Sequence, residues 1–216
     1  MAIASLNKFT VPLASTQSPK SQGMLMPKMQ YRFRAIFENF GGTVDTVELT
    51  KQVSNISRPN LNFNEFSIDV YNSKVKLVGK PTWESVTVAL RDDANNNVSK
   101  LVGAQVQKQF DFAEQSSASS GIDYKFVLKF EMLDGGNGDT VTNAANVLET
   151  WELYGAFLSQ VNYGEMNYGT SEAAMITLTV SYDNAVQTPS GTGIGTSVAR
   201  TIGRNITGVQ SITPPT

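Results

Sequence analysis

The sequence predicts a mainly-β domain: a β-barrel or sandwich of about seven antiparallel strands with one flanking α-helix over about 95–114. Three observations carry this. Six stretches alternate apolar and polar residues, the period of a half-buried strand. A single stretch switches to three- and four-residue spacing, the period of an amphipathic helix. Both ends of the chain lack the large apolar residues a core needs. The expected organisation is an extended arm over 1–28, one folded domain over 29–186, and a Gly/Thr/Ser-rich tail over 187–216.

In chain order, Tyr31, Phe33, Ala35 and Phe37 share one face of a first strand, opposite Gln30, Arg32 and Arg34. Gly41-Gly42 turns the chain, and Val44–Val53 can form a second strand. Residues 54–64 read as a loop around Arg58-Pro59-Asn60. Two alternating runs, Glu65–Tyr71 and Lys74–Val78, flank Asn72-Ser73 and predict a β-hairpin. Pro81 should break the chain, and Trp83–Arg91 should be the next strand. Asp92-Asp93 can cap the helix, on which Val98, Leu101, Val102, Val106 and Phe110 form the apolar face and Gln105, Gln107, Lys108 and Gln109 the remainder. A Ser-rich loop follows, then alternating Ile122–Met132, a Gly-rich turn over Asp134–Asp139, and strands over Val147–Tyr154 and Met175–Tyr182.

Composition narrows the chemistry. The 216 residues include no cysteine and no histidine, which removes thiolate nucleophiles, disulfides, ordinary zinc sites and the commonest general base. Residues 1–37 hold five basic residues and no acid, and residues 184–216 hold Arg200 and Arg204 and no acid. The other 10 basic and all 19 acidic residues lie in 38–183, a net charge of −9, which is unlike a nucleic-acid-binding face. The N-terminus does not read as a secretory signal, and no apolar run is long enough for a transmembrane helix.

The motifs tested for chemistry do not hold. Gly191-Thr192-Gly193-Ile194-Gly195-Thr196 misses the dinucleotide pattern at its last position and has no strand before it. Asp134-Gly135-Gly136-Asn137-Gly138-Asp139 lacks the third-position ligand of a calcium loop and reads as a turn. Carboxylates are scattered singly, so no spacing selects a glycosidase pair. Trp83 and Trp151 read as core or interface residues. The expectation is a protein with no catalytic residues, no cofactor and no metal.

The segment Val75-Lys76-Leu77-Val78-Gly79-Lys80-Pro81-Thr82-Trp83-Glu84-Ser85-Val86-Thr87-Val88 leads into Asp92-Asp93 and the helix. Glu149-Thr150-Trp151-Glu152-Leu153-Tyr154-Gly155-Ala156-Phe157 and a last strand over Ala174–Tyr182 follow. This order resembles the tail tube proteins of contractile-tailed, T-even-like bacteriophages over residues 29–186. Tyr154-Gly155 stands where many relatives have a proline, and neither terminal extension fits the pattern. The resemblance implies a barrel-like sandwich that assembles into hexameric, stacked rings, a hollow conduit through which DNA passes inside a contractile sheath. It implies as partners further copies of the chain, a tail sheath protein, a tape measure protein, baseplate and tail terminator proteins, and genomic DNA in transit without specific binding. The inner tube of a tailocin or bacterial injection system is the alternative; a free-standing β-sandwich binding module and a carboxylate hydrolase are more distant ones.

Within that reading the hairpin pairs across subunits through Phe66, Ile68, Val70, Val75 and Leu77. The expected channel lining is acidic and hydroxyl: Ser67 and Asp69 first, tempered by Lys74 and Lys76, with Thr177 and Thr179 next.

Overall fold

A computed structural model describes residues 27–42, 46–136, 145–188 and 193–195. The elements in chain order are β1 (Phe33–Glu38), α1 (Val47–Gln52), β2 (Val53–Ile56), β3 (Leu61–Val70), β4 (Ser73–Trp83) and β5 (Val86–Arg91). Then come α2 (Asn97–Gln109), β6 (Phe110–Asp111), β7 (Ser116–Ser117), α3 (Gly121–Tyr124), β8 (Phe126–Leu133), β9 (Val147–Asn162), β10 (Met175–Ser181) and β11 (Asn184–Thr188). The fold is mainly β and antiparallel, as the alternation predicts.

Seven strands form one continuous sheet in the order β1-β8-β9-β10-β5-β2, with β11 also on β9. β9 makes this possible. Its residues from Val147 to Ala156 pair with β8, and those from Phe157 to Asn162 pair with β10. The strand turns from one half-sheet to the other at Gly155, whose φ is +68°. A Cβ there would also displace the exposed Asp183 side chain, whose Oδ2 would lie at 2.1 Å, but it is the positive φ that favours glycine. This is the departure from the phage pattern at Tyr154-Gly155.

The core lies between the half-sheets. Val86, Val88 and Leu90 of β5, Ile176, Leu178 and Val180 of β10, Phe126, Leu128 and Phe130 of β8 and Leu153 of β9 are buried. Helix α2 closes one side with Val98, Leu101 and Val102. Between Phe37 and Phe126, Phe40 packs edge-on to both.

Several expectations are corrected. The segment after Gly41-Gly42 is helix α1 followed by the short strand β2, because Leu49 is drawn wholly into the core by a single turn. The 54–64 loop shrinks to 57–60. The tight turn is Tyr71-Asn72, one residue earlier than expected, since Val70 pairs with Ser73. Pro81 lies inside β4, opposite Phe63 and beside a register irregularity between Phe63 and Glu65, where a missing N–H is tolerated. Trp83 ends β4, so the next strand begins only at Val86. Helix α2 is shorter than 95–114 and starts at Asn97; its N-cap is Asn96, which makes no side-chain cap bond, and Asp93 reaches the first turn from outside the cap position, its Oδ1 accepting from Val98 N at 3.0 Å. Gln105, expected on the polar face, is fully buried: its Nε2 donates to Tyr124 O (2.6 Å) and its Oε1 accepts from Gly41 N (2.9 Å). Ile122 and Tyr124 belong to α3, capped by Ser120 and Asp123, and not to the strand that follows. β9 continues eight residues past Tyr154, and β11 was not expected. The arm over 1–26 and most of the tail lie outside the described residues.

Candidate assembly surfaces

The hairpin β3–β4 forms a sheet of its own. Its register sets Phe66 opposite Leu77, Ile68 opposite Val75, Ser67 opposite Lys76 and Asp69 opposite Lys74. The cross-strand pairs therefore separate an apolar face from a polar one, the separation the alternation predicts. Lys74 pairs with Asp69 at 3.1 Å and Lys76 with Glu65 at 2.8 Å. Phe66, Ile68, Val70, Val75 and Leu77 all remain exposed; Ile68 keeps 47% of its surface. A lone two-stranded ribbon is marginal in water, and a contiguous exposed apolar face marks an interaction surface. The base is firmer. Asn60 and Asn62 donate to the Glu84 carboxylate, Glu84 N donates to Asn60 O (3.0 Å), and Trp83 packs on Tyr182.

Thr177 and Thr179 lie elsewhere, on the outward face of β10. Thr177 pairs with Ala89 and Asn162, and Thr179 with Thr87 and Gln160. Ser85 and Ser181 share a hydrogen bond of 2.9 Å at the end of the same face. This face of hydroxyls and amides carries Arg91 and no carboxylate on the paired positions of β5, β10 and β9. The two sets of residues proposed from sequence are thus on separate surfaces.

The half-sheet carrying this face, from the second half of β9 through β10 and β5 to β2, has two open edges: among the described residues β2 pairs only with β5, and the second half of β9 only with β10. At Leu158 the second edge is occupied by a side chain: Gln109 Nε2 donates to Leu158 O and its Oε1 accepts from Leu158 N, both at 2.9 Å. An amide thus imitates one rung of a neighbouring strand.

Glu149 is a buried charge, with 4% of its side chain exposed. Lys28, Trp151 Nε1 (2.6 Å) and Gln187 Nε2 (2.7 Å) all donate to its carboxylate, and Arg58 stands 3.9 Å away. Burial alone would raise its pKa; the hydrogen bonds from Lys28, Trp151 and Gln187 outweigh that and hold it below the usual carboxylate value. Lys28 lies just before β1, Arg58 just before β3, and Gln187 on β11, so one carboxylate ties three segments to β9. Trp151 also stacks on Phe130, which makes it a core residue. Trp83 is half-buried against the core.

At the start of the Gly-rich turn, the Asp134 carboxylate is satisfied locally. Asp134 accepts from Gly136 N (3.0 Å), Asn146 N (3.1 Å) and the Asn146 side chain (2.7 Å), which lowers its pKa. Asp139 lies outside the described residues. Among the described residues no group of acidic side chains could hold a metal ion. Part of the second glycine run folds back on the sheet, with Gln187 N donating to Ile194 O at 2.7 Å. Among the described residues no helix is long and apolar enough to cross a membrane.

Sequence reasoning did not find the β2 and β9 edges, the Gln109 plug or Glu149. Four-residue β2 is too short to show a period, and Gln109 and Glu149 gain their roles from contacts 49 and 121 residues away.

No protein-family model matches the sequence, and none of the curated proteins does. Solved structures match the fold. The tube-terminating cap of the anti-feeding prophage superposes with a TM-score of 0.59 at 14% identity, over 82% of this chain and 100% of that one. A chain from the sheath/tube terminator of PVC, an extracellular contractile injection system, gives 0.55 at 11% identity, over 77% and 99%. The class so defined is the contractile-tail-tube-like fold. The likeness is to contractile machines at large and does not single out T-even-like phages.

Proposed function

We propose that this chain is a structural subunit of the tube of a contractile injection machine. The observation that carries the reading is the sheet with two open edges, β2 and the second half of β9, on a body of tube-like fold. Unpaired strand edges accept another strand, so the β9 edge of one copy can pair with the β2 edge of the next until a ring closes. The outward face with Thr177 and Thr179 then becomes a neutral, hydroxyl-rich channel wall. Such a wall offers a passing polyanion no cluster of cations to release counterions against, except Arg91. Six copies per ring, and partners of the sheath, baseplate, terminator and tape measure types, follow from the same reading. So does a role without catalysis. Conduction of phage DNA is the narrower form of the proposal; the two solved structures come from injection systems and favour the broader one.

Purified protein tests this directly, by light scattering after gel filtration and by negative-stain microscopy. Rings or tubes with a central channel are expected. A monomer at every concentration sinks the reading. A place at the tube's end is the second reading, favoured by the cap and terminator among the structural neighbours. It requires rings that do not stack into tubes on their own.

A further inference from the structure

We infer that the loop joining β9 to β10, residues 163–174, docks into a basic cleft on a second copy of the chain. The inference rests on the self-assembly reading and adds a contact to edge pairing.

The loop holds two acids, Glu165 and Glu172, and no basic residue. It also holds three large apolar side chains, and all three are exposed: Tyr163, Met166 at 98%, and Tyr168 completely. Its backbone has defined turns despite this exposure. Gly164 N donates to Asn162 Oδ1 (2.9 Å), Gly169 N donates to Asn167 Oδ1 (2.8 Å), and Ala174 O accepts from Asp92 N (2.9 Å). A shaped loop that presents apolar side chains to water is typical of an unpartnered interface.

The cleft, of about 900 Å³, lies between the edge strands β1 and β2. Phe33, Phe130 and Met132 give it an apolar lining, Lys28, Arg58 and Arg91 give it charge, and among the described residues no carboxylate lines it. Glu149 beneath offsets one cation of the Lys28–Arg58 pair. Arg91 has no side-chain hydrogen bond or ion pair among the described residues. The result is a net charge of about +2 over an apolar floor, the complement of a loop with two acids and three apolar tips.

Charge decides the occupant. Residues 1–37 and 184–216 contain basic residues and no acid, so either terminal segment would bring like charge to the cleft. The loop brings opposite charge. Its C-terminal end leads into Met175, which pairs with Arg91, so loop and cleft meet at one level of the body. Copies set side by side around an axis would bring one copy's loop to the next copy's cleft. Such a contact joins two different surfaces, and it propagates around a ring.

Charge exchange tests it in the full chain. One variant carries Glu165→Arg and Glu172→Arg; the other carries Arg58→Gln and Arg91→Glu. Both should give the wild-type circular dichroism spectrum, and each alone should associate at least about tenfold more weakly in sedimentation velocity. An equimolar mixture should recover association, because each variant's altered surface then meets a matching one. Assembly of either variant at wild-type affinity would overturn the inference, as would a mixture of folded variants that stays dissociated. A wild-type chain that never associates would instead overturn the tube reading beneath it.

Discussion

The seven-stranded body and the β3–β4 hairpin are written in the same alternating pattern, yet they end differently. In β10, every second residue is buried: Ile176, Leu178 and Val180. In the hairpin, Phe66, Ile68 and Val70 alternate as regularly and stay in water. The pattern states that one face needs cover; it does not state whose atoms provide it. For β10 the cover comes from β8 and β9 of the same chain. Among the described residues nothing covers the hairpin, which is why its apolar face reads as an interface while the same signal in β10 reads as core.

That contrast can be broken from either side. The largest effect on the isolated subunit should come from Leu178→Ala, with a loss of about 2–5 kcal/mol from transfer and cavity terms, measured by urea unfolding. Glu149→Gln should cost less, about 1–3 kcal/mol, since the carboxylate's partners lose a charged acceptor in a buried place. It should also change the pH profile. The folded Glu149 has a pKa below its ordinary 4.5, so its contribution is complete above that value and fades as pH falls through the lower folded one. Between pH 6 and 3 the variant's melting temperature should therefore decline less steeply than wild type. Gln109→Ala should cost about 1 kcal/mol by removing two hydrogen bonds, and should increase association through the exposed β9 edge. The smallest stability effect belongs to Ile68→Lys, within about 0.5 kcal/mol for an exposed site, yet it should abolish assembly. A large melting shift for this variant, or normal particles, would show that the hairpin belongs energetically to the body.

The strands that lie in the body with one face buried, such as β5 and β10, were legible because burial imposed a clean period of two. Elements whose form depends on distant partners were not. Of the two apolar residues of α1, Leu49 is buried by tertiary packing and Val47 stays exposed, and its sequence fits a strand as well as a short helix. Gln105 and Gln109 look alike on the helix, yet one is sealed inside and the other plugs an edge. Of the surfaces, the hairpin was readable residue by residue. The basic cleft was not, because Lys28, Arg58 and Arg91 come from three separate stretches that only the sheet's curvature assembles.

β9 has a consequence for time as well as shape. It is 16 residues long and holds both half-sheets, pairing with β8, β10 and β11. Neither half-sheet can open at β9 without exposing core that the other shares. Amide protons on both sides of Gly155 should therefore exchange in one cooperative event, near the rate of global unfolding, while those of the hairpin exchange through local opening. The pairings that complete the two half-sheets, β1 with β8 and β5 with β10, join segments far apart in sequence, so closing the sheet is a slow, non-local step. A newly made chain would thus carry its local hairpin, apolar face bare, before the body is complete. The order of synthesis leaves that face waiting for a neighbour throughout the subunit's folding.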